Sequence, residues 1–568
     1  MNLSKYKWGI VVLTGFFFAA GCTGNFEEIN TNPKGVDDSV TDMVDKIQSP
    51  LNNIIPPQEH RYQLWANLTT DIFAGFMMGV NDFGGSNNYN YKLRPDHCGQ
   101  TYSDFYLYVF KYTSLYIPQC KELGRYELAA MMQIANVAAF LPVVTSYGPA
   151  QYTCVLEGSD RYYYDSEETI YKHLFADLKE AVQWLKDFRD SDPSDELLAD
   201  FTRADKVCDG NVDKWIKFAN TLRLRIAMQL VKIYPDAKTE AEAAVRDGVL
   251  TNQDTDVTLK SGLMLFRIED LWNDTRANAN IISILQGYSD PRLERWFAYN
   301  NSDIYSVDDD ETPVVDKNTK FLGVRQGVPM TRVEYQGYSK TSRVGIPEEG
   351  PRPVVRVAEA YFLRAEGVLR NWDMGGESAE NLYNEGIRCA WLSVLGNESS
   401  WRGTYENYIA GMVNTGEDGD FDWELFEGGF GSAPYINYRN RDYDYFIEEN
   451  GKQVGVNRVS VKWHEDDPLE KKLQRIITQK WISFFPTLSS VAWTEYRRTG
   501  YPKLIPIPET LNYSNGAIDT ELMIRRLPFT QGEYRGNAEE VSKALKLLNG
   551  PDNGGTRLWW DVAKGNFD

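Results

Sequence analysis

The clearest hydrophobic pattern in the chain runs from Val354 to Val394. Its first half repeats apolar or small residues three or four positions apart, at Ala358, Tyr361, Phe362, Ala365 and Leu369. After a Gly-Gly pair the same spacing returns at Ala379, Leu382, Tyr383, Gly386, Ala390 and Val394. This spacing places one apolar stripe on each of two amphipathic helices. The pattern therefore predicts two helices joined by a short loop.

The predicted pair has the features of a tetratricopeptide-like helical hairpin. Ser378 stands directly before the second helix and is a suitable N-cap. Helices joined by a short loop pack antiparallel, and small residues such as Ala365, Gly386 and Ala390 let their axes approach closely. One such hairpin cannot bury its own apolar faces, so it needs stacked neighbours. The chain is therefore predicted to be mostly α, a stack of tetratricopeptide-like hairpins with a loop-rich portion and a few short strands.

Three other segments have the period expected of such neighbours. The stretch Trp215–Ile233 directs its apolar residues to one side, as does Glu470–Phe485, and Tyr164–Glu168 caps a helix with an acidic first turn that suits the helix dipole. Between them, loop-rich insertions are expected near residues 80–110, 255–350 and 400–466. Within these, Leu263–Ile268 is predicted to be a short strand and Leu271–Ala279 a polar loop.

The N-terminus indicates export and anchoring. Lys5 and Lys7 precede an apolar run, Gly9–Ala20, that is too short to span a bilayer. The run ends in Ala-Ala-Gly-Cys22, which resembles a bacterial lipobox although Ala19 replaces the usual Leu. Residues 1–21 are thus predicted to be a signal peptide, Cys22 the lipidated first residue, 22–40 an extended tether and 41–568 a single domain. The alternative is an ordinary signal peptide with Cys22 incidental.

Composition and motifs favour binding over catalysis. The net charge of −21 argues against nucleic acid as a partner. The 34 Tyr, 26 Phe and 15 Trp are enough to place some aromatic side chains outside the core. The sequence contains no phosphate-binding loop, no nucleophile elbow and no zinc-protease motif. A glycoside hydrolase needs only two carboxylates, so that class stays open as an alternative.

Metal and anion sites are weakly indicated. With four His and five scattered cysteines after Cys22, neither a disulfide framework nor a metal site is expected. The acidic run Glu417–Asp422 spaces its oxygen donors as calcium loops do, but it lacks the full EF-hand pattern, and a solvated acidic loop is the alternative. No other cofactor is expected. Arg497 and Arg498 could bind an anion, but pairing with Glu359 and Glu366 is the preferred interpretation.

The leader at residues 25–36, Asn-Phe-Glu-Glu-Ile-Asn-Thr-Asn-Pro-Lys-Gly-Val, resembles that of SusD/RagB-type lipoproteins, the surface nutrient-binding proteins of glycan-foraging Gram-negative bacteria. The two helices at residues 164–178 and 214–227 and the hairpin also resemble family helices. Further similar blocks follow in the same order: Ile477–Trp481, Ala492–Pro502, Arg525–Phe529, Glu533–Tyr534 and Trp559–Asp561. A departure lies at residues 144–152, where the family usually has Asp in place of Ser146 and Pro near Gln151.

The resemblance implies a protein that captures an oligosaccharide at the cell surface and delivers it to a TonB-dependent outer membrane transporter of the SusC type. A peptide-binding member of the family, or a structural subunit of the transporter complex without its own ligand, remains an alternative. The resemblance also implies that the ligand site lies on loops between the helices, near residues 87–91, 272–280 and 296–305. The candidate ligand-binding residues are Tyr89, Tyr91, Trp272 and Tyr299, expected to form a shallow, exposed aromatic site. Alternatively, each ring only packs its own loop.

Overall fold

The computed structural model describes residues 42–85, 87–262, 265–299, 321–330, 337–411, 431–437, 441–449 and 451–568. The predicted signal peptide, Cys22 and tether lie outside the described residues, and so does the acidic run Glu417–Asp422.

Within those ranges the fold is mostly helical. The helices of eight residues or more are α1 (Lys111–Glu122), α2 (Tyr126–Tyr147), α3 (Glu167–Asp190), α4 (Asp195–Ala204), α5 (Val212–Gln229), α6 (Ala237–Asp247), α7 (Ala279–Gly287), α8 (Val357–Leu369), α9 (Ala379–Leu395), α10 (Arg402–Ile409), α11 (Leu469–Phe484) and α12 (Ser489–Thr499). Shorter α-helices include Glu59–Tyr62, Thr70–Phe73, Gln100–Phe105, Arg292–Trp296, Gln531–Gly536 and Ala538–Ala544, and Gln63–Asn67, Tyr106–Phe110 and Arg267–Leu271 form π-helical turns.

Six short strands form three two-stranded antiparallel ribbons among the described residues. The pairs are β1 (Met77–Gly79) with β3 (Thr275–Ala277), β2 (Val257–Leu259) with β4 (Arg352–Val355), and β5 (Ile447–Glu449) with β6 (Lys452–Val454). The β1–β3 and β2–β4 ribbons join distant parts of the chain, whereas β5 and β6 are neighbours in sequence, and in the described ranges no sheet has three or more strands.

The hairpin predicted from residues 354–394 is confirmed as α8 and α9, which pack along one another. The Ser378 hydroxyl accepts a hydrogen bond from the backbone N–H of Asn381 at 3.1 Å, as an N-cap does. A Cβ added to Gly386 would lie 2.8 Å from the Phe362 ring. The two helices therefore approach as closely as the small residues predicted.

Its neighbours complete the stack. Helix α2 packs against α1 and α3, α5 packs against α3 and α6, and α8 packs against α5 and α11. By length and composition α2 could cross a membrane, but it is almost entirely buried and is the central core helix. The helix predicted at residues 215–233 is confirmed, although it ends at Gln229.

Two local predictions were wrong. Residues 265–268 are not a strand, because a helical turn begins there and continues into Arg267–Leu271. Residues 271–279, predicted to be a loop, contain strand β3. For β3 the decisive contact is its pairing with β1, almost two hundred residues earlier in the chain, which no local pattern reveals.

The adjacent residues Arg497 and Arg498 bind different partners. Arg498 donates to both carboxylate oxygens of Glu366 at 2.7 Å and to Glu495 at 2.6 Å, which confirms the predicted pairing. Glu359 instead binds Arg225, at 2.6 Å. Arg497 donates to backbone carbonyls, including that of Thr145 at 2.6 Å, and its guanidinium lies 3.5 Å from the centre of the Trp493 ring. The pairing of Arg497 with Glu359 is therefore corrected.

Candidate functional site

The predicted binding loops meet at the ribbon of β1 and β3. Met77 pairs with Ala277 and Gly79 with Thr275, and the backbone N–H of Val80 continues the pairing to the carbonyl of Asp274 at 2.9 Å. Since β1 leads into residues 80–91 and β3 follows directly after Trp272, the ribbon brings two of the three predicted loops together.

The Asp274 carboxylate fixes this junction. One oxygen accepts from the Asn81 amide at 2.7 Å and the other from the Gln63 amide at 2.5 Å. Burial raises the pKa of Asp274, and the two amide donors oppose that rise by stabilising the charged form. The contact with Gln63 spans 211 residues of sequence, so this carboxylate holds three distant segments in one arrangement.

Trp272 lies partly exposed at this junction. It follows the π-helical turn Arg267–Leu271, and Asn273 takes a positive φ of 57°, which turns the chain sharply before Asp274. The indole is 37 % exposed, and its only described ring neighbour is His60, which it meets edge-on with centroids 6.2 Å apart. The neighbouring Leu271 is 59 % exposed.

Tyr299 is also exposed, at 58 %, and its ring meets Phe321 edge-on at 5.1 Å. Its segment is joined to that of Trp272 by residues 339–342. The backbone N–H of Ala298 donates to the carbonyl of Lys340 at 2.8 Å, and the Lys340 ammonium pairs with Asp270. The segments that carry Trp272 and Tyr299 are therefore both bound to residues 339–342.

Tyr89 and Tyr91 are placed differently from what was expected. Tyr89 is only 7 % exposed, and its ring packs where a Cβ of Gly79 would stand 3.1 Å away. Tyr91 is 2 % exposed and adopts a left-handed backbone with φ of 63°. Burial, with the nearby Asp82 charge, raises the pKa of Tyr89 to about 12. The expectation of exposed ring faces at these two residues is corrected, because both rings are buried: Tyr89 packs against Gly79 of β1, and Tyr91 lies near Tyr496 and Ile524.

The site also contains residues that sequence reasoning missed. His60 and Gln63 contact Trp272 and Asp274 from the N-terminal helices. No local signal marks them, since their role depends on contacts more than two hundred residues away. In the described residues no group of three or more His, Cys, Asp and Glu side chains could hold a metal ion.

The site as a whole offers a half-exposed indole beside fixed amide and carboxylate groups. A flat apolar face next to oriented hydrogen-bonding groups suits binding of a polar ligand that also has apolar faces. Together with the stacked helical hairpins, this arrangement gives a helical-repeat scaffold with a candidate binding surface on its loops.

Comparison with known families gives a match to the SusD-like family, described as SusD and RagB outer membrane lipoproteins, over residues 28–409 and 430–561. The chain belongs to this family. Comparison with functionally curated proteins gives no match.

Solved structures of SusD homologues are similar to this chain in fold. A chitin-binding SusD homologue from Flavobacterium johnsoniae is 34 % identical, with a TM-score of 0.78, and the match covers 92 % of this chain and 100 % of that one. A SusD homologue from Bacteroides vulgatus is 27 % identical with a TM-score of 0.77, covering 92 % and 98 %. Another from Bacteroides ovatus is 28 % identical with a TM-score of 0.75, covering 92 % and 99 %.

Proposed function

We propose that this protein captures an oligosaccharide at the cell surface and passes it to a TonB-dependent transporter of the SusC type. The proposal depends on one observation: the Trp272 ring is half-exposed and lies two residues from Asp274, whose carboxylate fixes the junction of the two loops. The relative at 34 % identity is a chitin-binding protein, which supports a carbohydrate as the ligand class.

Binding rather than catalysis accounts for the groups at this site. Each oxygen of Asp274 accepts a hydrogen bond, one from Asn81 and one from Gln63, so this carboxylate orients its neighbours. Glu269, three residues before Trp272, is likewise engaged by Thr341. The proposed role of both carboxylates is to keep the indole in position while its face contacts a sugar ring.

The anchor and the partner belong to the same proposal. Lipidation at Cys22 would leave a tether of about twenty residues, which when extended reaches roughly 60–70 Å and permits docking on a neighbouring transporter. An oligosaccharide held by shallow stacking can leave the site again, as delivery to a transporter requires. In this proposal Trp272 and Tyr299 supply the stacking faces, whereas Tyr89 and Tyr91 support the loop from below.

The test is titration of the purified mature protein with oligosaccharides of N-acetylglucosamine, glucose and mannose, compared with mixed peptides. Stacking on one ring contributes on the order of 1 kcal/mol beyond the buried area, so Trp272→Ala is expected to weaken sugar binding about tenfold or more. The melting temperature should stay nearly unchanged because the ring is partly exposed.

Tyr126→Ala is the matched control, since this ring is 44 % exposed on α2 and away from the binding loops. Loss of affinity in both variants, or unfolding of Trp272→Ala with normal affinity in the folded fraction, would contradict the site. Binding of peptides, with no binding of any oligosaccharide, would show that the ligand is a peptide and not a carbohydrate. Absence of any ligand, together with copurification with a transporter, would favour a structural subunit.

A further inference from the structure

A second concave region lies where α1 begins. Its volume is about 920 Å³, and its walls come from residues 102–114, 151–162 and 530–537. The residues that line it do not include Trp272, Tyr299, Tyr89 or Tyr91. This cleft is therefore separate from the site proposed above.

The polar centre of the cleft is ordered in advance. Gln151 is 5 % exposed, and its amide donates to Oε2 of Glu533 at 2.8 Å. The Tyr164 hydroxyl donates to the same oxygen at 2.8 Å. The Asn537 amide is held by the carbonyl of Tyr162 at 2.8 Å. Two amides and a carboxylate are thus fixed in orientation before any ligand arrives, which lowers the entropic cost of binding.

One carboxylate oxygen in this polar centre is free to accept a hydrogen bond from a ligand. Within the described residues the Oε1 atom of Glu533 receives no hydrogen bond, because the side-chain donors above all reach Oε2. Glu533 lines the cleft and is partly exposed, so this oxygen is open to a ligand. A ligand hydroxyl that donates to Oε1 of Glu533 would use the remaining capacity.

Apolar surface surrounds this centre. Tyr162 is 55 % exposed and Leu107 is 57 % exposed, and both line the cleft. Exposed apolar residues grouped around polar groups mark binding surfaces rather than ordinary solvent-facing positions. The Tyr162 ring has the area and the polar tip that stacking on a sugar requires.

The charges of the cleft narrow the ligand class. Lys111, Asp160 and Glu533 all line the cleft, so both signs of charge are present and no strongly charged ligand is selected. The described lining residues belong to helices and loops, and they present no strand edge to which an extended peptide could add. Side chains that both donate and accept match vicinal hydroxyl groups better than a peptide backbone.

We propose that this cleft is a second glycan-binding site, which takes a neutral oligosaccharide through Gln151, Glu533 and Tyr162. The proposal goes beyond the function proposed above and shares with it only the ligand class. Gln151 lies in the segment where the sequence departs from the family pattern, so the polar centre is not part of what the resemblance implies.

The test counts ligands per chain by calorimetric titration with the same oligosaccharides of N-acetylglucosamine, glucose and mannose. The full mature protein is expected to bind two per chain. Tyr162→Ala and Glu533→Gln should each remove or weaken by about tenfold one of the two binding events. Trp272→Ala should affect only the other event. Tyr126→Ala serves again as the exposed-ring control. If Glu533→Gln fails to fold, Tyr162→Ala still tests the cleft, because the Tyr162 ring is largely in solvent and its removal should not affect folding.

The outcomes separate the two proposals. One ligand per chain, reduced only by Trp272→Ala, would overturn the second site and leave the proposed function intact. One ligand per chain, reduced only by Tyr162→Ala, would overturn the Trp272 site and keep the cleft. Unchanged glycan binding in both cleft variants, with peptide binding or transporter copurification reduced instead, would overturn the glycan assignment. No binding of any tested oligosaccharide would overturn both.

Discussion

The Glu269 carboxylate accepts a hydrogen bond from the backbone N–H of Thr341 at 3.1 Å and another from the Thr341 hydroxyl. Glu269 is 1 % exposed and stands three residues before Trp272. Thr341 forms an antiparallel bridge with Phe297, two residues before Tyr299. One buried carboxylate thus joins the segments that carry the two exposed aromatic candidates.

Glu269→Gln is expected to change how stability depends on pH. Burial raises the pKa of Glu269 from 4.5 to about 7, so the folded state holds this proton more tightly than the unfolded state. Its stabilising contribution is therefore present below about pH 4.5 and is lost as the pH rises through about 7. The amide can still accept from Thr341. Urea unfolding between about pH 5 and 7.5 should show a shallower decline in the free energy of unfolding for the variant.

The decline will not vanish completely, because burial also raises the pKa of Asp71 to about 7 and that of Glu167 to about 8. Glu122→Gln, at an exposed position on α1, is the control and should keep the wild-type pH profile. An unchanged profile in Glu269→Gln would contradict the assignment.

Arg498→Met should be strongly destabilising. The guanidinium pairs with both Glu366 and Glu495 in a fully buried cluster, in which Arg370 also pairs with Glu366 and Lys480 with Glu495. Although burial opposes it, Arg498 and Arg370 lower the pKa of Glu366 to about 2, so the site contains a true carboxylate. Removing Arg498 breaks the ion pairs that it makes with both buried carboxylates and is expected to cost about 3–5 kcal/mol. Chemical denaturation gives the value.

Lys172→Met is the comparison for the arginine variant. Lys172 pairs with Glu168 at 2.7 Å on the surface of α3, where water screens both charges. We expect no measurable change in the free energy of unfolding. Equal losses in the two variants would mean that burial does not set the strength of these pairs.

Two glycine substitutions should act in opposite directions. In Gly386→Ala the new methyl group meets the Phe362 ring at 2.8 Å in the tight contact of α8 and α9, and overpacking of this kind costs about 1–3 kcal/mol. In Gly403→Ala on α10 no atom lies within 4 Å, and alanine stabilises a helix by about 0.5–1 kcal/mol relative to glycine. Thermal unfolding measures both, and a stabilised Gly386→Ala variant would show that the hairpin is less tightly packed.

Cys22→Ala should release the protein from membranes, since the predicted lipid is attached at that thiol. Fractionation of cells that express the full chain measures the bound share. Cys389→Ala is the control, because Cys389 lies within α9 and is buried, so membrane association should be retained. Full membrane association of Cys22→Ala would contradict the anchor.

The sequence by itself determined the helical scaffold. The apolar period at residues 354–394, the N-cap at Ser378 and the pairing of Arg498 with Glu366 all appear in the structure. These features could be predicted because an amphipathic helix records its buried face in residues three and four positions apart. The family resemblance, carried by short blocks in a fixed order, agrees with the family match.

Only the tertiary structure decided which loop residues face solvent. Tyr89 and Tyr91 lie in a polar, Asn-rich stretch of sequence that is typical of an exposed loop, yet both rings are buried, and Tyr89 fits against β1 because Gly79 leaves space there. Trp272 stays half-exposed because β1, Gln63 and Asn81 fix the turn on which it lies. Exposure in a loop depends on contacts with residues up to two hundred positions away, and such contacts leave no periodic trace in the local sequence.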